Sequence, residues 1–125
     1  MKRAILDTNV IVRFLVKDHI KHYEQAALWF KEAEEGMRDV VITPLVIVET
    51  SFVLESFYKL KRSDIANALE VFIGQRWFNV IKRDILLYAW NYYRKGLHFV
   101  DSYLKSWSEL NGIDILTFDK ELSKV

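Results

Sequence analysis

Four acidic residues stand in short contexts that could bring their carboxylates together. They are Asp7 in Ile5-Leu6-Asp7-Thr8-Asn9, Glu49 in Val48-Glu49-Thr50, Asp101 in Phe99-Val100-Asp101-Ser102 and Asp119 in Leu116-Thr117-Phe118-Asp119-Lys120. Each aspartate alone has an ordinary explanation at a helix start, where a carboxylate caps backbone amides and meets the positive end of the dipole. Glu49 is harder to explain that way. On a helix beginning at Pro44 it shares a face with Leu45, Val48 and Phe52, so a carboxylate is expected along the stripe that faces the core. A buried, unpaired carboxylate is costly.

Two carboxylates about 4 Å apart repel by about 4 kcal/mol at an effective dielectric of about 20, so a cluster of four needs a cation or raised pKa values. No lysine or arginine within the four motifs is placed to neutralise them. An all-oxygen donor set, without cysteine or paired histidines, suits Mg²⁺ or Mn²⁺ rather than zinc. An ion of that kind supports in-line hydrolysis of a phosphodiester, which makes a metal-dependent nuclease the expected activity.

The elements that must carry these acids are legible in the apolar pattern. Residues 3–6 form a short apolar run that meets Asp7-Thr8-Asn9 and then a helical stretch at 10–16. A second helix is expected over 19–35, closed by Gly36, and the β-branched run 40–42 feeds a third through Thr43-Pro44, an N-cap followed by proline at the first helical position. That third helix is expected to reach about residue 60. Further helices are expected over 63–74, 84–95 (closed by Gly96) and 99–110 (closed by Gly112), with short strands at 78–81 and 113–116. Strands alternating with helices indicate right-handed crossovers and a parallel sheet covered on both faces. Asp7 and Asp119 then follow strands directly, beyond the carboxyl ends where open α/β sheets build sites. Asp101 sits in the first turn of its helix and Glu49 in the second turn of its own, and both helix starts face the same rim.

The chain has 125 residues, 51% of them hydrophobic, which suits one compact domain over 1–125 with a continuous core. Lys and Arg total 18 against 17 Asp and Glu, so attraction to nucleic acid must come from the distribution of charge rather than its total. With no cysteine, disulfide and thiolate chemistry are excluded. No signal-like or membrane-spanning run is evident, and a soluble, cytoplasmic protein is expected.

Taken together, the four motifs, in their order and with the strands and helices around them, resemble the acidic motifs of the PIN domain. The likeness is nearest to the short VapC-type toxins of prokaryotic toxin–antitoxin pairs. That resemblance implies a three-layer α/β/α sandwich with a central parallel sheet and a Mg²⁺- or Mn²⁺-dependent endoribonuclease. By position Asp7, Glu49, Asp101 and Asp119 would carry the metal and the attacking water, with Asn9 and Thr117 orienting those acids. It further implies a homodimer and a cognate antitoxin whose tail enters the acidic groove. Two departures accompany the match: Ser102 stands where a small apolar residue is common, and the run to Ser123-Lys124-Val125 leaves an often-present final edge strand missing or reduced to a stub.

Lys59, Lys61 and Arg62 form a basic run that is either a solvated helix end or a contact for the RNA backbone. The aromatic stretch Tyr88, Trp90, Tyr92 and Tyr93 is expected in the core or an interface rather than against bases. Ile47 and Leu54 lie opposite the Glu49 face, which leaves the third helix apolar nearly all round, as a subunit interface would need. His98 is expected to be structural, and His19 and His22 to face solvent. A phosphatase of the haloacid dehalogenase type would want an aspartate where Asn9 stands. Within the PIN fold, a nuclease of RNA processing and a catalytically silent module that binds RNA or protein compete with the toxin reading.

Overall fold

The computed structural model describes residues 2–123. Along them run β1 (Lys2–Ile5), α1 (Thr8–Val16), α2 (Ile20–Glu34), β2 (Arg38–Ile42), α3 (Pro44–Ser56), α4 (Arg62–Gly74), β3 (Asn79–Val80), α5 (Arg83–Arg94), α6 (Phe99–Asn111) and the short α7 (Lys120–Ser123). The strands make one parallel sheet in the order β1-β2-β3, with Ala4 opposite Val40, Ile5 opposite Val41 and Ile42 opposite Val80. Parallel neighbours cannot be joined by tight turns, and the helical pairs α1–α2 and α3–α4 supply the crossovers. The expected α/β class with a central parallel sheet is what the chain adopts.

Local chemistry sets the boundaries. Asp7, in extended backbone, accepts from the Thr8 amide at the start of α1, and Lys17 ends that helix at φ 60° with its N–H on the Arg13 carbonyl. Pro44 occupies the first turn of α3 as expected, although Thr43 makes no side-chain cap bond. α3 stops at Ser56, short of the expected 60. There the amides of Tyr58 and Leu60 turn back onto the carbonyls of Val53 and Leu54, with Lys59 at φ 58° taking the left-handed place usually given to glycine.

Val40 and Ile42 of β2 are buried together with Phe30, Phe72 and Phe78, whose ring centroids lie 4.9 to 5.3 Å apart. Trp90 and Tyr93 of α5 are fully buried, and Phe99 of α6 packs 4.5 Å from the Trp90 ring. The two members of the aromatic stretch that reach the core are therefore Trp90 and Tyr93. Arg83 ties the end of α4 to β3 by donating to the carbonyls of Ile73, Gln75 and Phe78.

Two expectations are corrected. Ile47, Thr50, Ser51 and Leu54 form the buried face of α3, while Leu45 and Phe52 are 77% and 67% exposed and Glu49 is exposed with them. The carboxylate therefore lies on the outer side of α3. Thr50 and Ser51 can be buried because their hydroxyls donate to the Val46 and Val48 carbonyls, at 2.6 and 2.7 Å, so neither hydroxyl is left unpaired. Residues 113–116, expected as a strand, pair with no strand among the described residues. The Ile113 amide donates to the Ser108 carbonyl and its own carbonyl accepts from the Ser108 hydroxyl, so the segment begins bound to the end of α6, and Leu116 and Phe118 stand fully exposed. The question of a stub strand at Lys124-Val125 lies outside the described residues.

Candidate functional site: an acidic cleft between α1 and α3

α1 leaves the carboxyl end of β1 and α3 leaves that of the neighbouring β2, so the first turns of both helices meet on one rim of the sheet. Between them opens a cleft of about 430 Å³ whose walls include Asp7, Thr8, Asn9, Arg13, Glu49 and Tyr58. Two of the four acids thus share one space although they are far apart in sequence.

Thr8 joins them. Its amide donates to Asp7 Oδ1 at 2.9 Å and its hydroxyl donates to Glu49 Oε1 at 2.5 Å, and the residue itself is buried. One oxygen of each carboxylate is thereby fixed, while Asp7 Oδ2 and Glu49 Oε2 take no part in these bonds. Sequence reasoning named Asn9 as the orienting neighbour and passed over Thr8. The available signal was a hydroxyl at the first position of a helix, directly after the capping acid. Asn9 itself is exposed and lines the cleft.

Arg13 was also passed over, because it lies outside the motifs. One helical turn beyond Asn9, it brings positive charge to the wall that carries the acids, and its Nη1 donates to both oxygens of Asp18 at 3.0 Å. The Tyr58 hydroxyl donates to the same carboxylate at 2.9 Å. The Tyr58 bond first, and the Arg13 bond second, hold Asp18 below the usual carboxylate range, and the same contact raises the Tyr58 phenol.

Asp101 stands half-buried in the first turn of α6. That end of α6 packs on α3, where His98, Phe99 and Val100 enclose a separate cavity with Val48, Ser51 and Phe52. Ser102 is fully buried, and its hydroxyl is satisfied by the His98 carbonyl at 2.9 Å, which accounts for a polar residue at that position. Asp119 is exposed and caps α7, accepting from the amides of Glu121 and Leu122, while Thr117 Oγ1 accepts from the Asp119 amide at 3.0 Å. Among the described residues no three acids or histidines are gathered closely enough to hold a metal ion. Asp7 and Glu49 are brought together, whereas Asp101 and Asp119 do not line their cleft. The unpaired state of residues 113–116 leaves Asp119 away from the strand end where it was expected.

In the basic run, Lys59 and Lys61 are exposed, but Arg62 is turned inward. It donates to Glu55 at 3.0 Å and to the carbonyls of Tyr93 and Leu97, and it lies 3.9 Å from the centroid of the Tyr93 ring. With its guanidinium engaged in this way, Arg62 is a packing residue. His19 and His22 are exposed and stacked on each other.

The profile of the PIN domain family matches residues 4–125. A curated protein, the "VapC ribonuclease" of Aquifex aeolicus (strain VF5), is 27% identical over 124 residues, which is 97% of this chain and 90% of that relative. No solved structure matches the chain.

Proposed function

This chain belongs to the PIN-domain family, and we propose that it is a Mg²⁺- or Mn²⁺-dependent endoribonuclease acting as the toxin of a toxin–antitoxin pair in the cytoplasm, with residues 1–125 working as one nuclease domain. The observation that carries this proposal is the joint anchoring of Asp7 and Glu49 by Thr8 in one cleft. Two hard oxygen donors held side by side on the sheet rim fit a small divalent cation of the Mg²⁺ class. We assign Asp7, Glu49, Asp101 and Asp119 to such an ion, and when bound it would supply Lewis-acid stabilisation of charge developing on a phosphodiester. Thr8 holds the two carboxylates in register, Asn9 presents its amide on the cleft wall, and Thr117 shapes the turn that carries Asp119.

The same proposal places Lys59 and Lys61 against the RNA backbone. It takes the exposed apolar face of α3, with Leu45, Phe52 and the neighbouring Phe57 and Val100, as the contact between two copies. The ribonuclease name of the Aquifex relative supports the assignment. Among the described residues no helix is long and apolar enough to cross a membrane.

Purified protein should cut RNA internally when Mg²⁺ or Mn²⁺ is added. Asp7→Asn and Asp101→Asn should abolish cutting without loss of the folded state. Undiminished cleavage in chelator, or by both variants, would overturn the mechanism. One observation favours a second reading, a catalytically silent binding module: three acids are not gathered in the described residues. RNA retained but never cut, at any divalent ion concentration, would establish that reading instead. Cleavage confined to one precursor, with no growth arrest on expression, would move the protein from the toxins to the nucleases of RNA processing.

A further inference from the structure

Next to the acidic cleft, between α1 and α2, lies a second cavity of about 270 Å³. Asn9 and Arg13 line both spaces, so the two adjoin. The other walls of the second cavity are Val10 from α1 and His22, Gln25 and Trp29 from α2. The lining mixes polar and apolar groups. Trp29 offers a flat, half-buried aromatic surface and Val10 an apolar one, while the exposed Asn9 and Gln25 offer two primary amides. An amide places a donor and an acceptor side by side, the pattern that matches the edge of a base. Aromatic faces stack bases in single-stranded nucleic acid. No carboxylate lines this cavity, and its volume sits just below the range of pockets that enclose larger organic ligands, about 300 to 1,000 Å³.

We propose that this cavity is a nucleobase subsite for single-stranded RNA, with Arg13 holding the phosphate that links its nucleotide to the one at the acids. The proposal rests on the nuclease reading for what happens in the neighbouring cleft, but binding at the subsite stands by itself. Asp18 receives Nη1 of Arg13, at 3.0 Å to both oxygens, and Tyr58 steadies Asp18 from the other side. Thus positioned, Arg13 keeps Nε and Nη2 outside those bonds, a planar pair of donors suited to phosphate oxygens. Gln25 and Asn9 choose the base, Trp29 stacks it, and Arg13 sets the distance between the base and the acids. On these grounds Gln25, Asn9 and Arg13 are specificity and positioning residues, none of which touches the reacting atoms.

The test uses the full-length protein without added metal. The indole N–H resonance of Trp29, assigned by comparison with Trp29→Phe, is followed by NMR during titration with the four nucleosides and the four nucleoside 5′-monophosphates. A saturable shift is expected, with one base favoured by at least about fivefold, the lower end for a bidentate amide–base contact. Each monophosphate is expected to bind more tightly than its nucleoside. Gln25→Ala should level the ranking among bases yet keep the phosphate gain, and Arg13→Lys and Arg13→Ala should reduce and remove the phosphate gain while keeping the ranking. Since Gln25 is exposed, its variant does not threaten the fold. No saturable shift with any nucleotide, or a phosphate gain with no ranking of bases, overturns the proposal. Mapping the 5′ ends of cut RNA then separates the two readings. A base preference beside the cut that relaxes in Gln25→Ala supports both, and nucleotide binding as described without any cleavage keeps the subsite and removes the nuclease.

Discussion

Replacing Thr8 by valine isolates what the junction between Asp7 and Glu49 contributes. Valine keeps the shape and the backbone amide, so the bond to Asp7 Oδ1 survives, while the hydroxyl bond to Glu49 Oε1 is lost. Glu49 is exposed, so water can replace the lost donor. The stability cost therefore falls at the lower end for a hydrogen bond to a charged group, about 1.5 kcal/mol. Metal affinity should fall further than stability suggests, because Glu49 would be free to turn away from Asp7. Groups that orient metal ligands typically contribute about 10- to 100-fold in affinity. Calorimetric titration with Mn²⁺, beside cleavage rates over a range of Mg²⁺ concentration, would measure this. The expected result is a curve displaced to higher metal concentration, with a nearly unchanged rate at saturation, and recovery in Thr8→Ser. Unchanged Mn²⁺ affinity in Thr8→Val, with the protein folded, would refute the reasoning that Thr8 sets the geometry of this pair.

The corrected orientation of α3 predicts opposite outcomes for neighbouring positions: Ile47→Ala, fully buried, should cost about 2 to 5 kcal/mol by chemical denaturation. Leu45→Ala and Phe52→Ala should stay within about 0.5 kcal/mol in the monomer while weakening self-association measured by sedimentation. Arg62→Ala should destabilise by about 1.5 to 3 kcal/mol, since it removes donors from Glu55 and two carbonyls, and should leave the salt dependence of RNA binding unaltered. Lys59→Ala or Lys61→Ala should lower that salt slope by about one unit with little effect on folding. Burial, followed by the hydroxyl's bond to Glu109, raises the Tyr92 phenol to about 12. Its folded value lies above the ordinary 10, so its stabilisation is complete below pH 10 and is lost as the pH rises through about 12. Tyr92→Phe should accordingly flatten the fall in urea midpoint across that window.

Much of the fold was legible because its signals are local. Asp7 at the strand–helix junction, Pro44 opening α3 and Gly112 closing α6 each act within a turn of the chain, and the corresponding boundaries lie within two residues of where they were expected. The face of α3 was not legible. With Leu45, Val46, Ile47, Val48, Phe52, Val53 and Leu54 distributed round the helix, apolar periodicity cannot choose a side. The choice falls to Thr50 and Ser51, which can be buried only because their hydroxyls bond to their own helix. Residues 113–116 have strand-like composition, but strand pairing is a long-range event, and short-range bonds between Ser108 and Ile113 hold the start of the segment. The acids divide along the same line. Asp7 and Glu49 ride on helices that leave adjacent strands and so converge, whereas Asp119 depends on a pairing that composition does not specify. Arg13 lies outside the motifs, and Thr8, although inside the first of them, takes its partner Glu49 only from the spatial approach of α1 to α3.

The free side of β1 also has a bearing on how this protein behaves at high concentration. β1 pairs with β2 alone among the described strands, and Ile5 is 73% exposed, while residues 113–118 carry Leu116 and Phe118 into solvent. An open backbone edge and an exposed apolar segment in one chain are a socket and a plug. A short tether would give this plug an effective concentration of order millimolar at its own sheet edge, so in dilute solution pairing within one chain would outcompete capture by another. As the protein is concentrated towards that value, exchange between neighbours becomes competitive, and strand-swapped oligomers or fibres become the hazard. Charged residues at positions 116 and 118 would protect storage and crystallisation, at the cost of whatever order the segment gains by closing on its own sheet.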